Sequence, residues 1–175
     1  MINLTNDDMT NEKKAAKTDK SLHNICIAAI KRNTMKPYDF KLTMFYETNE
    51  DFPYSRIQLD LLENEFMICS TIVDDANYSI LTTRRLVTKQ DGQYSTGEIK
   101  EANDKRYGDF KSDKDNVTTF GQVQLKSGKE LKYFIETGRA SMVMIHGIRM
   151  LIKTNEMTAT QIDNIARAWN ARLTD

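Results

Sequence analysis

Arg84 and Arg85 stand side by side in a segment that alternates like a β-strand, and Lys89 follows four residues later. Several Lys or Arg side chains that converge on one loop can bind the phosphates of acidic lipids. Asp91, two residues after Lys89, weakens the local positive charge. We therefore treat Arg84, Arg85 and Lys89 as candidate binding residues, with an ordinary solvated charge run as the alternative.

The segment from Glu47 to Asp75 contains eight acidic residues and a single base, Arg56. Such a concentration of carboxylates can steer a basic protein partner toward a binding surface, as in tight inhibitor complexes. Glu47, Glu50 and Asp51 are the candidate contacts for such a partner. The alternative is that these residues are the solvated face and loops of two strands.

Groups that could support catalysis or hold a metal are few. His23 and Cys26 lie on adjacent turns of a predicted helix, but zinc requires three or four ligands, and Cys69 and His146 are distant in sequence. The stretch Ser127-Gly128-Lys129 lacks the upstream glycine of a phosphate-binding loop, and a hairpin follows where that loop needs a helix. The sequence therefore predicts no metal site, no cofactor and no enzymatic activity.

Composition indicates a folded chain of ordinary size. Its 175 residues are enough for one domain with appendages, and 39% of them are hydrophobic. Lys plus Arg and Asp plus Glu number 25 each, so the net charge does not favour nucleic acid. The N-terminus lacks the apolar core of a signal peptide, and both cysteines have apolar neighbours, so we expect a cytoplasmic protein with reduced cysteines.

The hydrophobic period predicts a helix followed by antiparallel strands. A helix over 19–33 has Asp19 or Ser21 as its expected N-cap, and Asp91-Gly92 predicts a tight hairpin turn. Strands are expected at 38–46, with Tyr38, Phe40, Leu42, Met44 and Tyr46 on one face, at 55–61, 65–73 and 77–90, briefly at 98–100, and in a hairpin over 117–136.

Two helices are predicted to end the chain. Residues 138–153 are apolar around most of the helix except for the polar stripe formed by Arg139, His146, Arg149 and Lys153. Thr158 and Gln161 form an expected capping box at the start of the last helix, 158–173. A helix, then strands, then helices is an α+β order, and a sheet with strands apolar on both faces is expected to curl.

The motif Leu81-Thr82-x-x-Arg85-Leu86, with Ile99, Gly128 and the apolar helix 138–153, resembles bacterial pleckstrin-homology-like (PH-like) domains over roughly residues 38–153. The resemblance implies a curled antiparallel sheet or partly open barrel of about seven strands, closed by the helix at 138–153. In such a barrel Arg85 would lie at the rim, paired with a carbonyl or an acidic residue of 47–75, and Arg84 would face water. The helices at 19–33 and 158–173 would then be additions.

The resulting hypothesis is a non-catalytic binding module that recognises a protein partner or a second copy of itself. The alternative is an inhibitor or immunity-type protein that blocks a basic partner through the acidic segment 47–75. An acidic lipid is a less supported ligand, and nucleic acid is not expected. The predicted divisions are a flexible polar N-terminus (1–18), an N-terminal helix (19–36), the PH-like domain (37–154) and a C-terminal amphipathic helix (155–175).

Overall fold

The computed structural model describes residues 16–111 and 114–173, so most of the predicted polar N-terminus lies outside the described residues. The described chain forms three α-helices and eight strands: α1 Asp19–Asn33, β1 Thr43–Phe45, β2 Met67–Asp74, β3 Asn77–Thr82, β4 Leu86–Gln90, β5 Gln93–Gly97, β6 Asn103–Arg106, β7 Thr118–Gln124, β8 Glu130–Glu136, α2 Ser141–Lys153 and α3 Ala159–Arg172. The predicted α+β class is confirmed.

The strands form two antiparallel sheets in chain order. β1 to β5 make a five-stranded sheet, and β6 to β8 make a three-stranded sheet. Neither sheet is closed or curled, so the expectation of one curled sheet or partly open barrel is wrong in its geometry. The two sheets separate at residues 98–102, where the Ala102 N–H donates to the Ile99 carbonyl and Ile99 is completely buried.

The five-stranded sheet is covered on both faces, which explains why β2 is apolar on both sides without a barrel. Ile68 and Cys69 of β2 pack among the helices and β8. Met67 and Ile72 pack on the other face against Tyr46, Ile57 and the aromatic loop between β1 and β2. Side chains predicted as a strand at 55–61 therefore cover the sheet as a loop and do not pair within it.

Helix α2 is the centre of the main core and packs against α1, β2 and β8. A β-carbon at Gly147 would lie 3.1 Å from both Cys69 Sγ and Leu81 Cδ2, so this glycine lets α2 approach the sheet closely. Helices α1 and α3 contribute Ile25, Ile30 and Ile162 to the same core. They are integral parts of this core.

The strand predicted at 38–46 shrinks to Thr43–Phe45. The Glu136 carboxylate accepts the backbone N–H groups of Lys41 and Leu42, at 3.0 and 2.9 Å, and so takes donors that a longer strand would use in its ladder. Thr43 is buried and Met44 is 37% exposed, which reverses the predicted face at Met44. The short strand expected at 98–100 is likewise a turn, and β6 follows it.

Most locally encoded features are confirmed. Helix α1 has the predicted bounds, although its N-cap is Thr18, whose hydroxyl accepts the Ser21 N–H. Thr158 and Gln161 form the predicted capping box of α3. Asp91 and Gly92 adopt positive φ angles of 50° and 80° in the turn between β4 and β5. Among the described helices, none has the length and apolarity to cross a membrane.

Candidate functional site

Arg84 lies in the tight turn between β3 and β4, where Thr82 N donates to the Arg85 carbonyl. Its guanidinium forms hydrogen bonds with both carboxylate oxygens of Asp19, at 2.9–3.2 Å, and with the Glu63 carbonyl. The side chain is 39% exposed, so Arg84 is accessible to water as expected, and it also makes these contacts within the chain. Arg84 ties the start of α1 to the hairpin.

Arg85 pairs with Glu65, whose side chain is completely buried, through a contact of 3.0 Å from Nε to Oε1. Glu65 also accepts the Thr82 hydroxyl at 2.6 Å and the Leu62 N–H at 2.8 Å. Burial by itself raises the pKa of Glu65, but these three donors together hold it below its ordinary value. The predicted pairing of Arg85 with an acid of segment 47–75 is therefore observed.

Lys89 donates to the Asp75 carbonyl at 3.1 Å. Its ammonium group also lies 5.0 Å from the ring centre of Tyr94 and 5.9 Å from that of Tyr78. Each of the three basic candidates is therefore engaged by contacts within the chain. Their use by an external ligand stays a prediction.

The acidic candidates are also partly engaged. Glu47 forms an ion pair with Lys31, and Asp51 accepts the Thr48 N–H at 2.9 Å. Elsewhere in the segment, Glu65 is buried, Asp74 accepts the Ala76 N–H, and Asp75 pairs with Arg56. Among the eight carboxylates of segment 47–75, all of which lie in the described residues, those of Glu50, Asp60 and Glu63 have no side-chain hydrogen bond or ion pair.

A groove of about 660 Å³ lies between the three helices and β6, and we call it the interhelical groove. It is lined by polar and apolar side chains from the three helices, from β6 and from the segments just after β6 and α2: Ala29, Asn33, Asp104, Tyr107, His146, Arg149, Met150, Ile152, Lys153, Glu156 and Trp169. Three of the four residues of the polar stripe predicted on 138–153 line it. The fourth, Arg139, lies elsewhere and contacts Asp39 and the Pro37 carbonyl.

Three residues of the interhelical groove, Asp104, Tyr107 and Arg149, form a polar cluster. The Tyr107 hydroxyl donates to Asp104 Oδ2, and Arg149 Nε lies 3.6 Å from the same oxygen. Burial raises the pKa of Asp104, against the opposing effects of Tyr107 and Arg149. Asp104 is thus shielded, while the Arg149 side chain is 56% exposed and offers its remaining donors to the groove.

The rest of the interhelical groove includes basic and aromatic side chains. Lys153 is exposed, and Arg32 lies over the Trp169 ring with its guanidinium carbon 4.9 Å from the ring centre. Burial, with a further contribution from Arg149, lowers the pKa of His146, so this imidazole is neutral at pH 7. Met150 and Ile152 supply apolar surface between these groups.

Both cysteines are buried, and burial raises the pKa of each thiol, which disfavours the nucleophilic thiolate. No group of three His, Cys, Asp or Glu side chains suited to a metal occurs within residues 16–111 and 114–173. His23 and Cys26 are buried in the core, where the His23 Nε2 atom lies 2.8 Å from the Tyr46 carbonyl oxygen.

Sequence reasoning found one side of the interhelical groove and missed the others. The polar stripe on 138–153 indicated His146, Arg149 and Lys153. Asp104 and Tyr107 lie in and just after β6, and Trp169 lies in α3, so no local sequence pattern connects them with this stripe. Comparisons of the chain with protein-family models, curated proteins and solved structures gave no match.

Proposed function

We propose that the protein is a non-catalytic binding module that recognises an acidic segment of a partner protein in the interhelical groove. The observation that carries this proposal is the groove itself, where exposed cations border an aromatic and apolar floor. A concave site of this kind, with few polar groups around an apolar lining, is the usual form of a binding site. A volume of about 660 Å³ accommodates several side chains of a peptide.

Charge supports an acidic ligand. Arg149 and Lys153 line the interhelical groove, and Arg32 packs on the Trp169 ring, which also lines it. None of the three has a fully committed carboxylate partner in the described residues, since Arg149 meets a shielded Asp104 and Arg32 meets an aromatic ring. Glu156 is the opposing exposed charge. The Tyr107 hydroxyl donates to the Asp104 carboxylate and Arg149 lies beside it, and these contacts reduce its repulsion of an anion.

The apolar floor of the groove indicates that the acidic segment of the partner also contributes a large apolar side chain. Trp169 and Tyr107 present ring surface, and Met150 adapts its shape readily to a ligand. Aromatic and arginine side chains are enriched among the residues that dominate binding energies. The expected ligand is therefore a short segment in which acidic residues flank a large apolar side chain.

The acidic segment 47–75 has less support as the binding surface. Of its eight carboxylates, Glu65 is buried, and Glu47, Asp51, Asp74 and Asp75 hold contacts within the chain. An inhibitor that used this segment would give up part of those contacts or rely on Glu50, Asp60 and Glu63.

We also propose a distant relation to PH-like domains. It is supported by the succession of five antiparallel strands, three antiparallel strands and a helix that packs against both sheets. The motif residues Thr82 and Arg85 would then maintain the β3–β4 turn. This relation does not require a closed barrel.

A peptide-display selection with random dodecapeptides tests the proposed function. We expect enrichment of peptides that combine Asp or Glu with Trp, Phe or Leu, and loss of that enrichment for the variant Arg149→Glu/Lys153→Glu. The matched control is Arg167→Glu/Arg172→Glu, which makes the same charge change at exposed positions of α3 outside the groove lining. Equal enrichment by both variants, or enrichment of basic peptides, would contradict the proposal.

A further inference from the structure

The outer edge of β5 has features that differ from those of the other sheet edges. Its five residues, Gln93–Gly97, contain no charged residue and no proline. Its pairing with β4 is regular over five residue pairs, without a bulge. At the opposite edge of the same sheet β1 is only three residues long. In the second sheet the two edge strands, β6 and β8, contain three charged residues each, and β6 also has a register shift.

The hairpin geometry fixes which backbone groups of β5 point outward. Gln90 and Gln93 flank the two-residue turn, so they form a hydrogen-bonded pair, and the pairs of β4 and β5 alternate from there. The N–H and C=O groups of Tyr94 and Thr96 consequently point away from β4. Both side chains are exposed, Tyr94 by 63%. Exposed, regular strand edges of this type pair with other strands unless charge or shape prevents it.

We propose that β5 pairs with β5 of a second copy of this chain, antiparallel and about a two-fold axis at Ser95. In this register Tyr94 lies opposite Thr96 of the second copy. The outward N–H and C=O groups of these two residues then form two hydrogen bonds between the strands, and the same pair recurs on the other side of the axis. A two-fold interface uses the same surface on both molecules, so a strand without charge meets itself without repulsion. The aromatic and β-branched side chains of Tyr94 and Thr96 also form a favourable cross-strand pair.

The surroundings of β5 suit a second strand. Two contacts fix the position of the Tyr94 side chain. Its hydroxyl accepts a hydrogen bond of 3.2 Å from the Tyr78 hydroxyl, and the Lys89 ammonium lies 5.0 Å from its ring centre. The Tyr94 ring is thus positioned on one face of the sheet edge before association. One strand pair is smaller than the interface of a stable dimer, so we expect association in the micromolar range or weaker.

Sedimentation equilibrium of the full chain over a concentration series tests this proposal. We expect a monomer–dimer equilibrium that Tyr94→Lys/Thr96→Lys and Tyr94→Glu/Thr96→Glu each weaken at least tenfold, because like charges then face each other. An equimolar mixture of the two variants places Lys opposite Glu and should restore the dimer. Gln90→Lys, an exposed change on the neighbouring strand β4, serves as the control and should dimerise like the parent chain.

Amide hydrogen exchange gives a second readout that needs no variant. The Tyr94 and Thr96 amides should become protected as the chain concentration rises, while the Asp91 amide should not change. A chain that stays monomeric at millimolar concentration would overturn the proposal. So would a dimer that tolerates both charged variants, or one in which Tyr94 and Thr96 gain no protection.

Discussion

Replacement of Arg85 by alanine tests whether the arginine pair is structural. The change removes the cation that faces the completely buried Glu65 side chain, across contacts of 3.0 and 3.2 Å. Removal of one partner of a buried ion pair costs roughly 3–5 kcal/mol because it leaves a buried charge without compensation. Glu65 keeps its bonds to Thr82 and Leu62, and Arg85 is 27% exposed, so we expect the lower end, about 3 kcal/mol.

Urea unfolding followed by circular dichroism measures this loss. For a chain of this size about 3 kcal/mol corresponds to a drop in Tm of about 6–12 °C. The matched control is Arg84→Ala, whose partner Asp19 lies nearer the surface, and we expect a loss of about 1 kcal/mol there. The double variant Arg85→Ala/Glu65→Gln should recover part of the loss because it also removes the stranded charge.

The same pair predicts a pH dependence. Because the pKa of Glu65 is held below its ordinary value, its contribution is present at neutral pH and is lost as pH falls through the folded-state pKa. The difference between the parent chain and Arg85→Ala should therefore shrink below about pH 4. A loss under 1 kcal/mol at pH 7, or a loss equal to that of Arg84→Ala, would refute the assignment of Arg85 as a buried structural cation.

Three further predictions concern the core. Burial lowers the pKa of His23 and of His146, so the unfolded chain binds more protons than the folded chain as pH falls. The free energy of unfolding should therefore decrease below about pH 6.5. Urea titrations of the parent chain, His23→Gln and His146→Gln between pH 7 and 5.5 measure this decrease, and a stability of the parent chain that does not change with pH would contradict the prediction. Gly121→Ala places a β-carbon against the buried Tyr133 ring and should cost about 1–3 kcal/mol in thermal unfolding, whereas Gly97→Ala meets only the movable end of Leu125 and should cost less. Cys26 and Cys69 are buried, so a thiol reagent should label neither in the folded chain and both in urea; rapid native labelling would contradict their placement in the core.

Local sequence signals predicted local structure well. Helix α1, the capping box of α3 and the Asp91-Gly92 turn depend on residues within a few positions of each other, and all three are present. The stretch 77–90 is the exception, because the single strand predicted there is wrong: β3 and β4 are two strands, joined at Arg84 and Arg85. Their actual place is a turn between two strands, stabilised by Asp19 and Glu65, and neither partner is adjacent in sequence.

Long-range arrangement was harder to predict. Alternation at 55–61 is the same for a strand and for a loop that lays apolar side chains on a sheet, and here the loop is observed. The two-sided apolar character of β2 likewise fits either a curled sheet or a flat sheet covered twice. The interhelical groove combines residues from α1, β6, α2 and α3, so only its α2 side was visible as a polar stripe.

The central claim is that the interhelical groove binds an acidic segment. Its most direct test is an NMR titration of the ¹⁵N-labelled chain with a peptide of glutamates flanking two leucines, alongside the same peptide with lysines in place of glutamates. We predict that the acidic peptide shifts the amide signals of Asn33, Arg149 and Lys153 and the Trp169 indole signal, with weaker shifts at high salt. Shifts located outside the groove, or equal shifts with the lysine peptide, would contradict the account.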